Sequence, residues 1–118
     1  MQKILVFTDI HLVPEGETII GIDPFARFAQ GMAHALDHHP DAARVVLCGD
    51  LSHNAAPPEY ARLRAALDTC PLPVSLMLGN HDRRAPFLGA FPDADRMDTG
   101  HIQHVTDLPG YRLICLDT

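Results

Sequence analysis

The sequence predicts an α/β fold built on a mostly parallel sheet, and three observations predict it. Short apolar runs alternate with segments of helical period in the order β-α-β-α-β, followed by one further strand. Three of the apolar runs end on clusters of polar residues, which is where such sheets collect their ligand sites. The composition over 118 residues, 47% apolar and 20% charged, is that of a single domain with a modest core.

Residues 3–8 read as a first buried strand. Residues 12–21 carry Pro14, Gly16 and Gly21 and read as a loop. Asp23-Pro24 supplies the cap and first-turn chemistry of a helix. Phe25, Phe28, Ala29, Met32, Ala33 and Leu36 continue it at helical spacing until Pro40 stops it. Residues 44–48 form the second strand. Pro57-Pro58 opens a second helix with Tyr60, Leu63 and Leu67 on one face. Residues 74–78 form the third strand, 86–98 read as irregular, and 111–116 as a last strand. With no repeat, low-complexity segment or linker, residues 1–118 read as one domain.

The formal net charge of −6 and the absence of a Lys/Arg run argue against electrostatic binding to a nucleic-acid polymer or an anionic membrane. Cys48, Cys70 and Cys115 are odd in number and lack metal-ligand spacing. Two of them sit inside apolar runs as small hydrophobes. The N-terminal run is too short for a signal peptide, and no apolar stretch approaches a membrane span. A reducing, cytoplasmic setting is the expectation.

Gly79-Asn80-His81-Asp82 follows the third strand, and chance would place only about 0.001 copies of it in such a chain. Asp9 and His11 lie two apart on a segment read as extended, so both would point to one side. That pattern is weak alone, with about 0.8 chance copies of Asp-x-His expected. A second copy, Asp37-His38-His39, reads as a solvated helix terminus. Gly49-Asp50 reads either as a turn or as a carboxylate able to bridge two cations. Asn80 offers a carbonyl oxygen or simply a turn residue. Together these residues form an oxygen and nitrogen donor set without sulfur, which suits Mn, Fe, Zn, Co or Ni. Arg83 and Arg84 offer phosphate contacts, although surface solvation is expected of at least one. His53 either lines the cleft or is an exposed loop histidine.

The three motifs, in this order at strand ends, resemble the calcineurin-like metallophosphoesterase superfamily. Phe7-Thr8-Asp9-Ile10-His11-Leu12, Gly49-Asp50-Leu51-Ser52, Glu59-Tyr60 and Leu116-Asp117-Thr118 are similar to bacterial class III cyclic-nucleotide phosphodiesterases and related glycerophosphodiesterases. The resemblance implies a layered α/β/β/α sandwich, of which this chain holds the N-terminal β-α-β-α-β half. It also implies two divalent cations (Mn, Fe, Zn or Co). Asp9 and His11 would bind the first, Asp50 would bridge both, and Asn80 would bind the second. His81 would face the substrate and assist phosphate binding or leaving-group departure, Asp82 would orient or support it, and Asn80 and Arg83 would help bind substrate. The implied reaction is hydrolysis of a small phosphodiester, a cyclic nucleotide or glycerophosphodiester, by a metal-bound hydroxide.

Members of that superfamily carry later Gly-His and Gly-His-x-His motifs. Here Gly100-His101 matches the shorter one in letters only, because it precedes the last strand. The expectation is therefore a truncation, fragment, split gene or subunit. Its partner would be a completing C-terminal segment or another copy. The rival reading is a non-catalytic fragment that keeps the fold. A mononucleotide-binding domain is disfavoured, since no Gly-rich phosphate loop follows the first strand.

Overall fold

The structure is a computed structural model, and it describes residues 2–117. Strands β1 (Ile4–Phe7), β2 (Arg44–Leu47) and β3 (Val74–Leu76) form a parallel sheet in the order β1-β2-β3. Its register sets Leu5 beside Val45 and Phe7 beside Leu47, with Val45 beside Val74 and Leu47 beside Leu76. Because side chains alternate across a strand, these six share one face, and that face carries the core. β1 and β3 end earlier than the sequence suggests. The ladder nonetheless continues past β3, where Met77 N–H donates to Leu47 O at 2.9 Å.

Helix α1 (Pro24–His38) covers that core face. Asp23 caps it by accepting the Phe25 N–H at 3.0 Å, and Phe28 and Met32 are its buried residues. Its end is the exposed Asp37-His38-His39 turn, where His38 Nδ1 lies 2.9 Å from His34 O. Helix α2 (Pro57–Leu67) begins on Ala56, which has no side-chain acceptor of its own. Glu59 takes over that task. Fully buried, it accepts from Asn54 N–H (3.0 Å), Ala56 N–H (3.1 Å) and Asn54 Nδ2 (3.2 Å). A carboxylate so placed meets the orphan amides and the positive end of the helix dipole.

Part of the stretch read as irregular is a helix, α3 (Arg84–Ala90). Pro86 and Gly89 obscure it in the sequence, yet Pro86 sits in the first turn, where its missing N–H costs nothing. Aromatic packing holds it. Phe87 is fully buried, stacks on Phe91 (centroids 5.0 Å) and meets Tyr60 edge-on at 5.8 Å. Such pairs contribute about 0.5–1.5 kcal/mol each beyond the area they bury.

The last strand does not join the parallel sheet. Strands β4 (His104–Leu108) and β5 (Tyr111–Cys115) form an antiparallel hairpin closed by Pro109-Gly110, with Gly110 at φ +80°. Proline followed by a residue at positive φ is the chemistry of a two-residue type II turn. Cys115 is fully buried, and burial and then the neighbouring Cys48 push its thiol pKa up. The hairpin is a separate two-stranded sheet, and the face of the parallel sheet opposite the core carries Val6, Val46 and Ser75. That face, where Arg44 donates to Ser75 Oγ at 3.1 Å, remains partly open. Val6, Val105, Tyr111, Ile114 and Leu116 stay exposed. No helix of the described residues is long and apolar enough to cross a membrane.

Candidate metal centre

Beyond the ladder of β1 and β2, the two chains keep running side by side. Cys48 N–H donates to Phe7 O (2.8 Å), Asp9 N–H to Gly49 O (3.1 Å), His11 N–H to Asp50 O (2.9 Å) and Leu12 N–H to Leu51 O (3.0 Å). This register brings the first two motifs together. Asp9 and His11 do not sit on extended backbone as the spacing suggested, and Asp50 shares their conformation. All three lie in the left-handed region, at φ 55°, 46° and 49°. Strand alternation therefore does not align Asp9 with His11; two left-handed kinks do. Such residues cost about 1–3 kcal/mol each and gather where structure serves a site.

Ligating atoms of Asp9, His11 and Asp50 all lie within 4.8 Å of one another. His11 Nε2 is 3.6 Å from Asp50 Oδ2 and 3.8 Å from Asp9 Oδ1. Two carboxylates and an imidazole converging so closely fit a divalent cation of the first transition row. Asp50 is buried, with Oδ1 accepting the His81 N–H at 2.9 Å and Oδ2 turned to His11. Gly49, at φ +106°, and Gly79 pack against each other; a Cβ on Gly49 would stand 2.8 Å from Gly79 N. Only glycines permit this approach of two strand ends.

The third motif closes the site from the other side. Asn80 is exposed in the turn between Gly79 and His81. His81 Nδ1 lies 2.8 Å from the His53 carbonyl oxygen. Ring nitrogens of His11, His53 and His81 form a second group within 4.8 Å. His101 pairs with Thr99 Oγ1 at 2.9 Å and belongs to neither group.

Asp82 is tied to the turn that carries His81 and to the loop after Asp50. Its carboxylate accepts the N–H groups of Leu51 (3.0 Å), Ser52 (3.0 Å) and Gly79 (2.9 Å), and the Tyr60 hydroxyl at 2.9 Å. Ser52 Oγ lies 3.1 Å away. Asp82 thus ties the loop after Asp50 to the turn at Gly79. Tyr60 is the hub beneath it: fully buried, its hydroxyl accepts Arg83 N–H at 3.1 Å, and burial above all pushes its pKa up to about 12. The Arg83 side chain is exposed beside a cavity of about 300 Å³ that Asn80, Arg84 and Asp117 also line. Arg84 is engaged elsewhere, in a two-point pair with Asp117 at 2.7 and 3.1 Å.

A profile of the calcineurin-like phosphoesterase family matches residues 2–115. The chain belongs to the calcineurin-like phosphoesterase family. It is 38% identical over 99% of its length to a protein of Rhodopseudomonas palustris named "probable cyclic nucleotide phosphodiesterase". Proteins with the same description from a Synechococcus strain and from Fibrobacter succinogenes are 28% and 27% identical over 98% of this chain. The chain spans 43–44% of the length of these relatives. Its parallel sheet and three helices are consistent with the N-terminal half of that family's fold.

Proposed function

We propose that the chain carries the first half of the active site of a metal-dependent phosphodiesterase acting on a cyclic nucleotide or glycerophosphodiester. The observation that carries this reading is the convergence of Asp9, His11 and Asp50 on left-handed backbone at the ends of two parallel strands. Family membership and the relatives' names support the reaction class. Asp9 and His11 would hold one cation, Asp50 would share its carboxylate between two, and Asn80 would hold the second. Bound divalent cations supply charge for the phosphate oxygens and acidify water near neutral pH.

The remaining work falls to this chain's own residues. His81 is fixed at its backbone by Asp50 Oδ1 and at Nδ1 by the His53 carbonyl, so the doubly protonated ring would present its Nε2–H to the departing oxygen. Arg83 is free to approach a phosphate oxygen. Asp82 and Tyr60 hold the turn that presents Asn80 and His81. A second reading, a fragment or subunit without activity until another segment completes the metal shell, is favoured by the relatives' greater length. One experiment separates the two readings. The 118-residue chain is loaded with Mn²⁺, its bound metal is counted, and bis(p-nitrophenyl) phosphate hydrolysis is assayed with and without the remaining segment. Turnover only with that segment supports the second reading, and no metal in either form refutes both.

A further inference from the structure

On the metal-dependent reading of Asp9, His11 and Asp50, one imidazole has no assigned part. His53 lies three residues past Asp50, half-buried, on the loop whose N–H donates to Leu12 O at 2.9 Å. Its Nδ1 stands 3.3 Å from His11 Nδ1. Its carbonyl oxygen receives His81 Nδ1 at 2.8 Å, and its ring stacks on that of His81 with centroids 5.3 Å apart and planes 22° apart. The His11 ring stands edge-on to both, at 5.4 Å from His53 and 4.8 Å from His81.

His11 Nε2 faces Asp9 and Asp50, so with a cation bound there its lone pair would be on Nε2 and its proton on Nδ1. Two nitrogens 3.3 Å apart then share that proton only if His53 Nδ1 is the acceptor. His81 has the same arrangement with a different acceptor: its Nδ1–H meets the His53 carbonyl, leaving Nε2 unengaged.

We propose that His53 is the positioning residue of this centre, its ring fixing the tautomer and orientation of His11 and its carbonyl fixing those of His81. A histidine ligand normally gives its second N–H to a carboxylate, a carbonyl or water, and losing that partner costs about 10–100-fold in metal affinity. Here the partner of His11 is another imidazole nitrogen. That is a weaker acceptor than a carboxylate, so it leaves the ligand less basic than a carboxylate would.

The test compares His53→Ala, His53→Asn and His53→Asp in the complete protein by Mn²⁺ titration, with thermal midpoints as the folding control. The Ala variant should bind Mn²⁺ about 10–100-fold more weakly. Asn should recover most of the loss, because its Oδ1 can stand where Nδ1 stood, and Asp should bind more tightly than Asn. ¹⁵N NMR of the Zn²⁺-loaded wild-type protein should show His11 protonated at Nδ1, and His53→Ala should shift that nitrogen's signal. Wild-type affinity in the Ala variant, an Asn variant as weak as Ala, or wild-type His11 protonated at Nε2 would each overturn the assignment. If the wild-type protein bound no Mn²⁺ while His53→Ala still changed the His11 ring ¹⁵N shifts, the metal reading would fail and the pairing would stand.

Discussion

Gly79 lies so close to Asp50 that a methyl group on its α-carbon would overlap the Asp50 carboxylate. A Cβ there would collide with Oδ1 and stand 2.5 Å from the Asp50 amide nitrogen and 2.9 Å from Cγ. The neighbour that would have to move is the candidate bridging residue, already held at Oδ1 by the His81 N–H.

Gly79→Ala is therefore expected to displace Asp50, at a stability cost of about 1–3 kcal/mol, the usual range for overpacking. Metal affinity should fall with it. Thermal unfolding and Mn²⁺ titration of the variant check both, and a variant matching the wild type in both would show that the glycine contact is not limiting.

Asp50→Ala should be the most damaging single change at the metal site. Asp50 is the buried member of the group, while the Asp9 side chain is 59% exposed. Asp9→Ala should weaken one site; Asp50→Ala should weaken two and also remove the acceptor of the His81 N–H. Elemental analysis of the purified variants decides it, and full two-metal occupancy in Asp50→Ala would sink the bridging role.

Most of the parallel half of the fold was legible because its signals are local. Apolar runs, Asp23-Pro24, Pro57-Pro58 and three polar clusters at strand ends place β1, α1, β2, α2 and β3. Pro109-Gly110 is the local signal of the hairpin, but the strand before it, His104–Leu108, mixes polar and apolar residues and offers no apolar run. α3 was hidden because it is held by Phe87, Phe91 and Tyr60, whose contacts are long-range, and not by its own propensity. At the site, residue identities were readable and backbone geometry was not. Nothing in the letters signals that His11 is left-handed. The anchoring role of Asp82 depends on donors about 30 positions away, and that of His53 on a ring 42 positions away.

The Arg84–Asp117 pair gives the fold an acid-sensitive joint. Burial alone would raise the Asp117 pKa, but the Arg84 guanidinium and the Ile102 N–H at 2.8 Å overcome it and hold the carboxyl below the usual range. A carboxyl depressed on folding contributes stability above its unfolded pKa of about 3.9, and that stability is lost as pH falls through the lower folded value. Asp117→Asn should therefore be less stable than the wild type at pH 7, with the gap closing below about pH 4. Unfolding curves at pH 7, 5, 4 and 3 check this, and a constant gap would assign the loss to something other than ionisation.

His81→Ala should leave most of the metal bound, because the backbone N–H to Asp50 and the Asp9–His11–Asp50 group survive the substitution. Turnover should fall by about 10²–10⁴-fold if Nε2 protonates the leaving oxygen. That dependence carries its own control. A p-nitrophenolate leaves readily without a proton, whereas an alkoxide does not. The loss should therefore be small for p-nitrophenyl diesters and large for alkyl diesters. Measuring kcat for both substrate types, with metal content determined on the same samples, separates a proton donor from a residue that only shapes the site. Equal losses on the two substrates at full metal occupancy would remove the acid role from His81 and leave it a contact to the phosphate.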